Sequence, residues 1–140
     1  GKLPTMPLPG LEVAPVGPIA FPLLPIQAQA LHAASEPAPF GRGIDTVVDP
    51  KVRNARQIDA ARVRTSRPWD AAMSDLVKQV TAALGGIEGC VVPHLYKLVL
   101  YEAGGFFKAH QDTEKEPGMF ATLVVQLPAG HEGGGLVVRH

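Results

Sequence analysis

The chain has 140 residues, with 13 Lys plus Arg against 13 Asp plus Glu and zero formal net charge. That balance excludes nucleic acid or an anionic membrane surface as an evident partner, because both reward a positive surplus. Fifteen glycines and 14 prolines disfavour a helical bundle, while 46% apolar residues suffice for one globular core.

Residues 1–18 alternate proline with small and apolar residues and are expected to form an extended, Pro-rich arm. Residues 19–140 are expected to form the N-terminal portion of a larger folded domain, since the chain stops directly after the apolar run Leu136-Val137-Val138. Ile19-Ala20-Phe21 reads as a short strand. Pro25 suits the first position of a helix that carries Ile26, Ala30 and Leu31 on one face as far as Ala34, and Pro37 and Pro39 end it. From Phe40 to Thr65 short strands and turns are predicted, with Gly41-Arg42-Gly43 a loop, Thr46-Val47-Val48 a strand and Asp49-Pro50 a turn.

The clearest helix runs from about Trp69 to Leu84, with Ser66 or Arg67 at its cap, Pro68 in its first turn and Asp70 near its positive end. Met73, Leu76, Val77, Val80, Ala83 and Leu84 make an amphipathic stripe, and Gly85-Gly86 stops it. After Gly89 the pattern turns to strands. Residues 95–101 and 106–110 are predicted as a hairpin around the turn 102–105, Phe120 to Leu127 as a third strand and Leu136 to Arg139 as a fourth. Two helices followed by consecutive short strands give an α+β plan, helices lying against antiparallel sheet.

No run approaches the ~20 apolar residues that span a bilayer. Seven prolines between Lys2 and Pro25 also oppose a signal peptide. No membrane partner is expected, and a cytoplasmic setting is the default. The single cysteine, Cys90, excludes an internal disulfide and a cysteine-rich metal site, so any metal would rest on His and carboxylate.

The main site candidate is His110-Gln111-Asp112. On a strand, residues two apart share a face, so His110 and Asp112 can present an imidazole nitrogen and a carboxylate oxygen to one point. Those are two of the three protein donors of a 2-His-1-carboxylate centre, which leaves open positions on iron(II). Standing alone, the plainer meaning of the motif is a hydrogen-bonded His–Asp pair.

The run from Leu95 through Tyr101, Gly104-Gly105 and Phe106-Phe107 into His110-Gln111-Asp112 resembles the metal-binding strand pair of the iron(II)- and 2-oxoglutarate-dependent dioxygenases, closest to the prolyl 4-hydroxylase-like branch. Met119 to Pro128 looks like that family's next core strand, and Gly133-Gly134-Gly135-Leu136-Val137-Val138 like its Gly-Gly turn and strand. Upstream, Pro39 to Gly43 with Asp49, Val52 and Arg53 resembles the region before the barrel in bacterial members. The likeness implies a double-stranded β-helix (jelly roll), partial in this chain, and Fe(II) with 2-oxoglutarate as co-substrate, ascorbate being a further candidate. It implies that His110 and Asp112 are catalytic metal ligands, with Tyr101, Gln126 and Tyr96 candidates for the co-substrate pocket. For each of these three a packed or solvated side chain is the bland alternative.

The pattern is incomplete. The family has a second histidine ligand several dozen residues after the first pair, then an Arg or Lys that receives the far carboxylate of 2-oxoglutarate. Only 28 residues follow Asp112. His131 falls in a glycine turn, and His140 falls where the family has no ligand. The third donor is therefore expected outside this chain, and unpaired sheet edges are expected to allow pairing with a second copy.

Cys90 with His94 lacks an orienting third group for nucleophilic chemistry. His32 on the first helix reads as solvated or partly packed, and Glu114-Lys115-Glu116 as a solvated loop. Arg42, Asp45 and Arg53 either bind a substrate or hold the N-terminal region by ion pairs, the second being favoured. Arg62, Arg64 and Arg67 read as a surface cluster. The resulting expectation is hydroxylation of a peptide side chain or small molecule, and its alternative a non-catalytic jelly-roll fragment serving interaction or oligomerisation.

Overall fold

The computed structural model describes residues 5–42, 45–86, 90–112 and 114–138. They form an α+β protein of two helices and several small antiparallel sheets. The chain divides into two units, residues 1–20 with 59–98 and residues 21–58 with 99–140. Among the described residues no helix is long and apolar enough to cross a membrane.

In the first unit, β1 (Glu12–Val13) lies between β2 (Gly17–Pro18) and, from later in the chain, Val63–Arg64. Val13 pairs with Gly17 on one side and Val63 on the other. The segment expected as an extended arm is therefore built into a sheet. The composition misled because proline removes one donor and leaves the carbonyl free. Pro9 still accepts the Ser66 N–H at 2.8 Å, and Leu11 still accepts that of Ile19 at 2.8 Å. Pro9, Leu11, Val13 and Ile19 are all buried. Ile19 takes that place without belonging to a strand, so the short strand predicted at 19–21 is replaced by β2 two residues earlier.

The long helix of this unit runs over Arg67–Ala83. Ser66 caps it in extended conformation, its hydroxyl accepting from the Trp69 N–H at 3.4 Å, and Asp70 stands in the first turn. Leu76, Val77 and Thr81 are its buried residues, whereas Leu84 is exposed. The buried face thus turns away from the end of the predicted stripe.

In the second unit, α1 (Pro25–Ala34) matches the predicted bounds, with Pro25 opening the helix and Leu31 buried. Proline loses nothing there, since the first helical N–H has no partner within the helix. At the other end Ser35 caps it, and the Arg56 guanidinium donates to the Ser35 hydroxyl and carbonyl. After α1, β3 (Glu36–Pro37) pairs antiparallel with β7 (Arg56–Asp59) in a sheet of order β3-β7-β9, where β9 is Lys97–Leu100. Between β3 and β7 the chain forms β4 (Phe40–Arg42), β5 (Asp45–Val47) and β6 (Arg53–Asn54). β4 pairs with β5, so Gly41 and Arg42 belong to a strand where a loop was predicted. The Asp49-Pro50 turn forms, with the Asp49 carboxylate accepting the Lys51 N–H and its carbonyl accepting those of Val52 and Arg53. Val63–Arg64, introduced above, is β8, and Arg67–Ala83 is α2.

The predicted hairpin after Leu95 is half correct. The turn closes, with the Gly105 N–H donating to the Glu102 carbonyl at 2.8 Å. The strand leaving it, β10 (Phe106–Phe107), pairs with β6 and not with β9. Opposite Phe107 stands Arg53, whose guanidinium covers the ring, a cross-strand contact that β6 supplies.

The third and fourth predicted strands do not form. Residues 120–127 and 136–138 belong to no strand, and all but the half-buried Leu127 are exposed, Phe120 at 67%, Val124 at 69% and Leu136 at 81%. Arg139 lies outside the described residues. β-branched residues suit a pleated, half-covered surface, and that preference yields a strand only beside a partner. The coarse α+β class stands.

Candidate functional site

His110 and Asp112 follow β10 in the second unit, beyond its last hydrogen-bonded residue. Their side chains nevertheless converge, His110 Nε2 lying 3.6 Å from Asp112 Oδ1. The imidazole is set from its other side. His110 Nδ1 is 2.8 Å from the Lys108 carbonyl, which only accepts, so Nδ1 carries the proton and the neutral ring keeps its lone pair on Nε2. An imidazole whose second nitrogen donates to a backbone carbonyl is the usual arrangement of a metal-binding histidine. Lys108 is itself fixed, its N–H donating to the Val52 carbonyl at 3.0 Å.

The ring also has a seat. The imidazole stacks on Phe107 with centroids 3.5 Å apart and planes 20° from parallel, and Phe40 tilts against the same Phe107 at 6.2 Å. Arg53 lies 4.5 Å from the Phe107 centroid and donates through Nη1 to the Pro39 carbonyl at 2.7 Å. Its buried Nε has no acceptor among the described residues. Among the described residues Arg53 forms no ion pair, and its partners are the Pro39 carbonyl and the Phe107 ring. The side chains of Arg42 and Asp45 lie outside the described residues.

The donor set suits a divalent ion in part. Two donors each about 2.1 Å from a first-row ion and 3.6 Å apart subtend about 120°. An octahedral arrangement would draw them closer. Both groups are water-accessible, at 40% and 52% exposure. No third His, Cys, Asp or Glu joins them among the described residues. His131 uses both ring nitrogens elsewhere, Nδ1 donating to the Gly133 carbonyl at 3.0 Å and Nε2 accepting from Gln126. His140 lies outside the described residues.

Gln126 is exposed and bonded to His131, and Tyr101 is 50% exposed. Tyr96 belongs to the first unit and lies under the Lys97 ammonium at 4.2 Å. Among the described residues no hydrogen bond or ring contact joins Tyr101 or Gln126 to His110 or Asp112. A shallow, open groove follows Asp112, lined by Glu114, Lys115, Glu116 and Pro117.

Other charged residues have structural partners. His32 Nε2 is 3.4 Å from Glu102. Arg62 donates to the Ala14 carbonyl and Arg64 pairs with Glu12, both tying β1 to its neighbours. Cys90 is exposed. The contribution of Phe107 and Arg53 escaped sequence reasoning, and only the aromatic pair preceding the His-x-Asp motif hinted at it. No protein-family model matches this chain, and no curated protein or solved structure is significantly similar to it.

Proposed function

We propose that His110 and Asp112 are protein donors to an Fe(II) centre, and that the protein hydroxylates a C–H bond of a peptide side chain or small molecule with 2-oxoglutarate as co-substrate. The observation that carries this reading is the bond from His110 Nδ1 to the Lys108 carbonyl, which leaves the Nε2 lone pair beside the Asp112 carboxylate. Iron and 2-oxoglutarate supply the activation of O₂ that no side chain provides. The protein's part is to hold the imidazole in one tautomer and to place one negative charge beside it. Within the same unit, Tyr101 is the candidate hydroxyl for orienting the co-substrate and Gln126 the candidate amide. Two donors alone bind weakly, so a third donor completes the centre in this reading.

Anaerobic titration with Fe(II) followed by 2-oxoglutarate tests the proposal. The expected result is a visible metal-to-ligand charge-transfer band that needs both additions. Folded protein without such a band refutes it.

A second reading rests on a different observation. Residues 120–127 contain no charge and no proline, and they make no backbone–backbone hydrogen bond among the described residues. An exposed, uncharged run of this kind is suited to adding a strand to a second copy of itself. An interaction or oligomerisation module is the function that fits. Sedimentation velocity across a concentration series should show a dimer, and Leu123→Lys should move its midpoint to about tenfold higher concentration or beyond, about 1.4 kcal/mol. A monomer at every concentration excludes this reading.

A further inference from the structure

We propose that Arg53 and Phe107 are positioning residues for His110, so that the direction of the imidazole lone pair is set by β6, more than 50 residues upstream; its bearing on metal binding rests on the reading of His110 as a donor. The placement begins with register. Phe107 and Arg53 are direct partners in the β6–β10 pair, and opposed residues of an antiparallel pair share a face. That brings the guanidinium over the ring, 4.5 Å from its centroid. Arg53 is in turn tied to the Pro39 carbonyl through Nη1.

Among the described residues the buried Nε of Arg53 has no acceptor. A guanidinium free to choose would give a buried Nε–H to an acceptor. Among the described residues that donor finds none, and the guanidinium lies over the Phe107 ring, as a weakly hydrated, delocalised cation can. Phe107 is held by Arg53 and flanked by Phe40, and its ring carries the imidazole of His110 three residues later.

Two restraints therefore meet on His110, and both lead back to one strand. The bond from Nδ1 to the Lys108 carbonyl fixes the tautomer and limits rotation about the Cβ–Cγ bond. The stack on Phe107 fixes the plane. Lys108 hangs from Val52, immediately before Arg53, and Phe107 pairs with Arg53 itself. Without the guanidinium, Phe107 has no cation to hold it, and the imidazole can swing its lone pair away from Asp112.

The test has a readout that needs no metal. In apo wild-type protein the carbon-bound protons of the His110 ring should show an upfield ring-current shift, which Phe107→Leu removes. Arg53→Gln should return those protons toward their unstacked values and weaken Co(II) binding about 10–100-fold, the range for groups that orient a metal ligand. Arg53→Lys keeps a cation for the ring but not the planar fork, and should restore both in part. If Arg53→Gln is folded and matches wild type in both readouts, the inference is overturned. Should Arg53→Gln fail to fold, Phe107→Leu decides, and unchanged Co(II) affinity there overturns it. Wild-type protein that binds no Co(II), while Arg53→Gln still releases the ring, refutes the metal reading and leaves the positioning role supported.

Discussion

His110→Ala is expected to abolish the charge-transfer band with Fe(II) and 2-oxoglutarate and to lower Co(II) affinity by about 100-fold. The magnitude follows from dividing the binding of a four-ligand structural zinc site, about 10–16 kcal/mol, among its donors at roughly 3 kcal/mol each. Asp112→Asn should also weaken binding, since an amide keeps the volume and one oxygen but removes the charge that offsets the cation. The fold should hardly change in either variant. Both side chains are substantially exposed, and an exposed His–Asp pair contributes little to stability. Chemical denaturation of His110→Ala should fall within about 1.5 kcal/mol of wild type, the upper range for losing the stack on Phe107. Loss of metal binding with the fold retained locates the effect at the donor atom. Binding retained in His110→Ala would remove His110 from the centre.

What the amino-acid pattern made legible was local. α1 was bounded correctly by Pro25 and the prolines beyond Ala34, and α2 was located by Ser66, Pro68 and Asp70, because capping acts within one turn. The turn at 102–105 was legible for the same reason. Strand partners were not. Nothing near Phe106 announces that its neighbour is Asn54, a pairing across about 50 residues that depends on the rest of the unit. The run 120–127 has the composition of a strand and no partner, so composition alone overstated the sheet. The site divides along the same line. His110 and Asp112 come within 3.6 Å of each other, but beyond the strand whose alternation was expected to align them. Arg53 and Phe107 joined it through register, which a single sequence does not display.

The N-terminal segment offers the sharpest test of the fold. Gly10→Ala is expected to cost about 2–5 kcal/mol, combining a left-handed backbone penalty of about 1–2 with overpacking of about 1–3. Gly10 has φ +54°, and a Cβ there would lie 2.8 Å from Ser66 Cβ and 3.2 Å from its hydroxyl. Ser66 has little room to retreat. Its N–H donates to Pro9 and its hydroxyl caps α2, so moving it also weakens the start of that helix. Gly17→Ala is the matched comparison, because Gly17 has φ +93° with nothing within 4 Å of an added Cβ. It should incur a backbone penalty alone, about 1–2 kcal/mol. Urea denaturation should therefore rank Gly10→Ala as roughly twice as damaging as Gly17→Ala. The difference between the two measures the contact with Ser66, because only Gly10 faces it. Equal and negligible losses would mean that residues 9–18 hang free as the arm their proline content suggests, and that α2 begins without them.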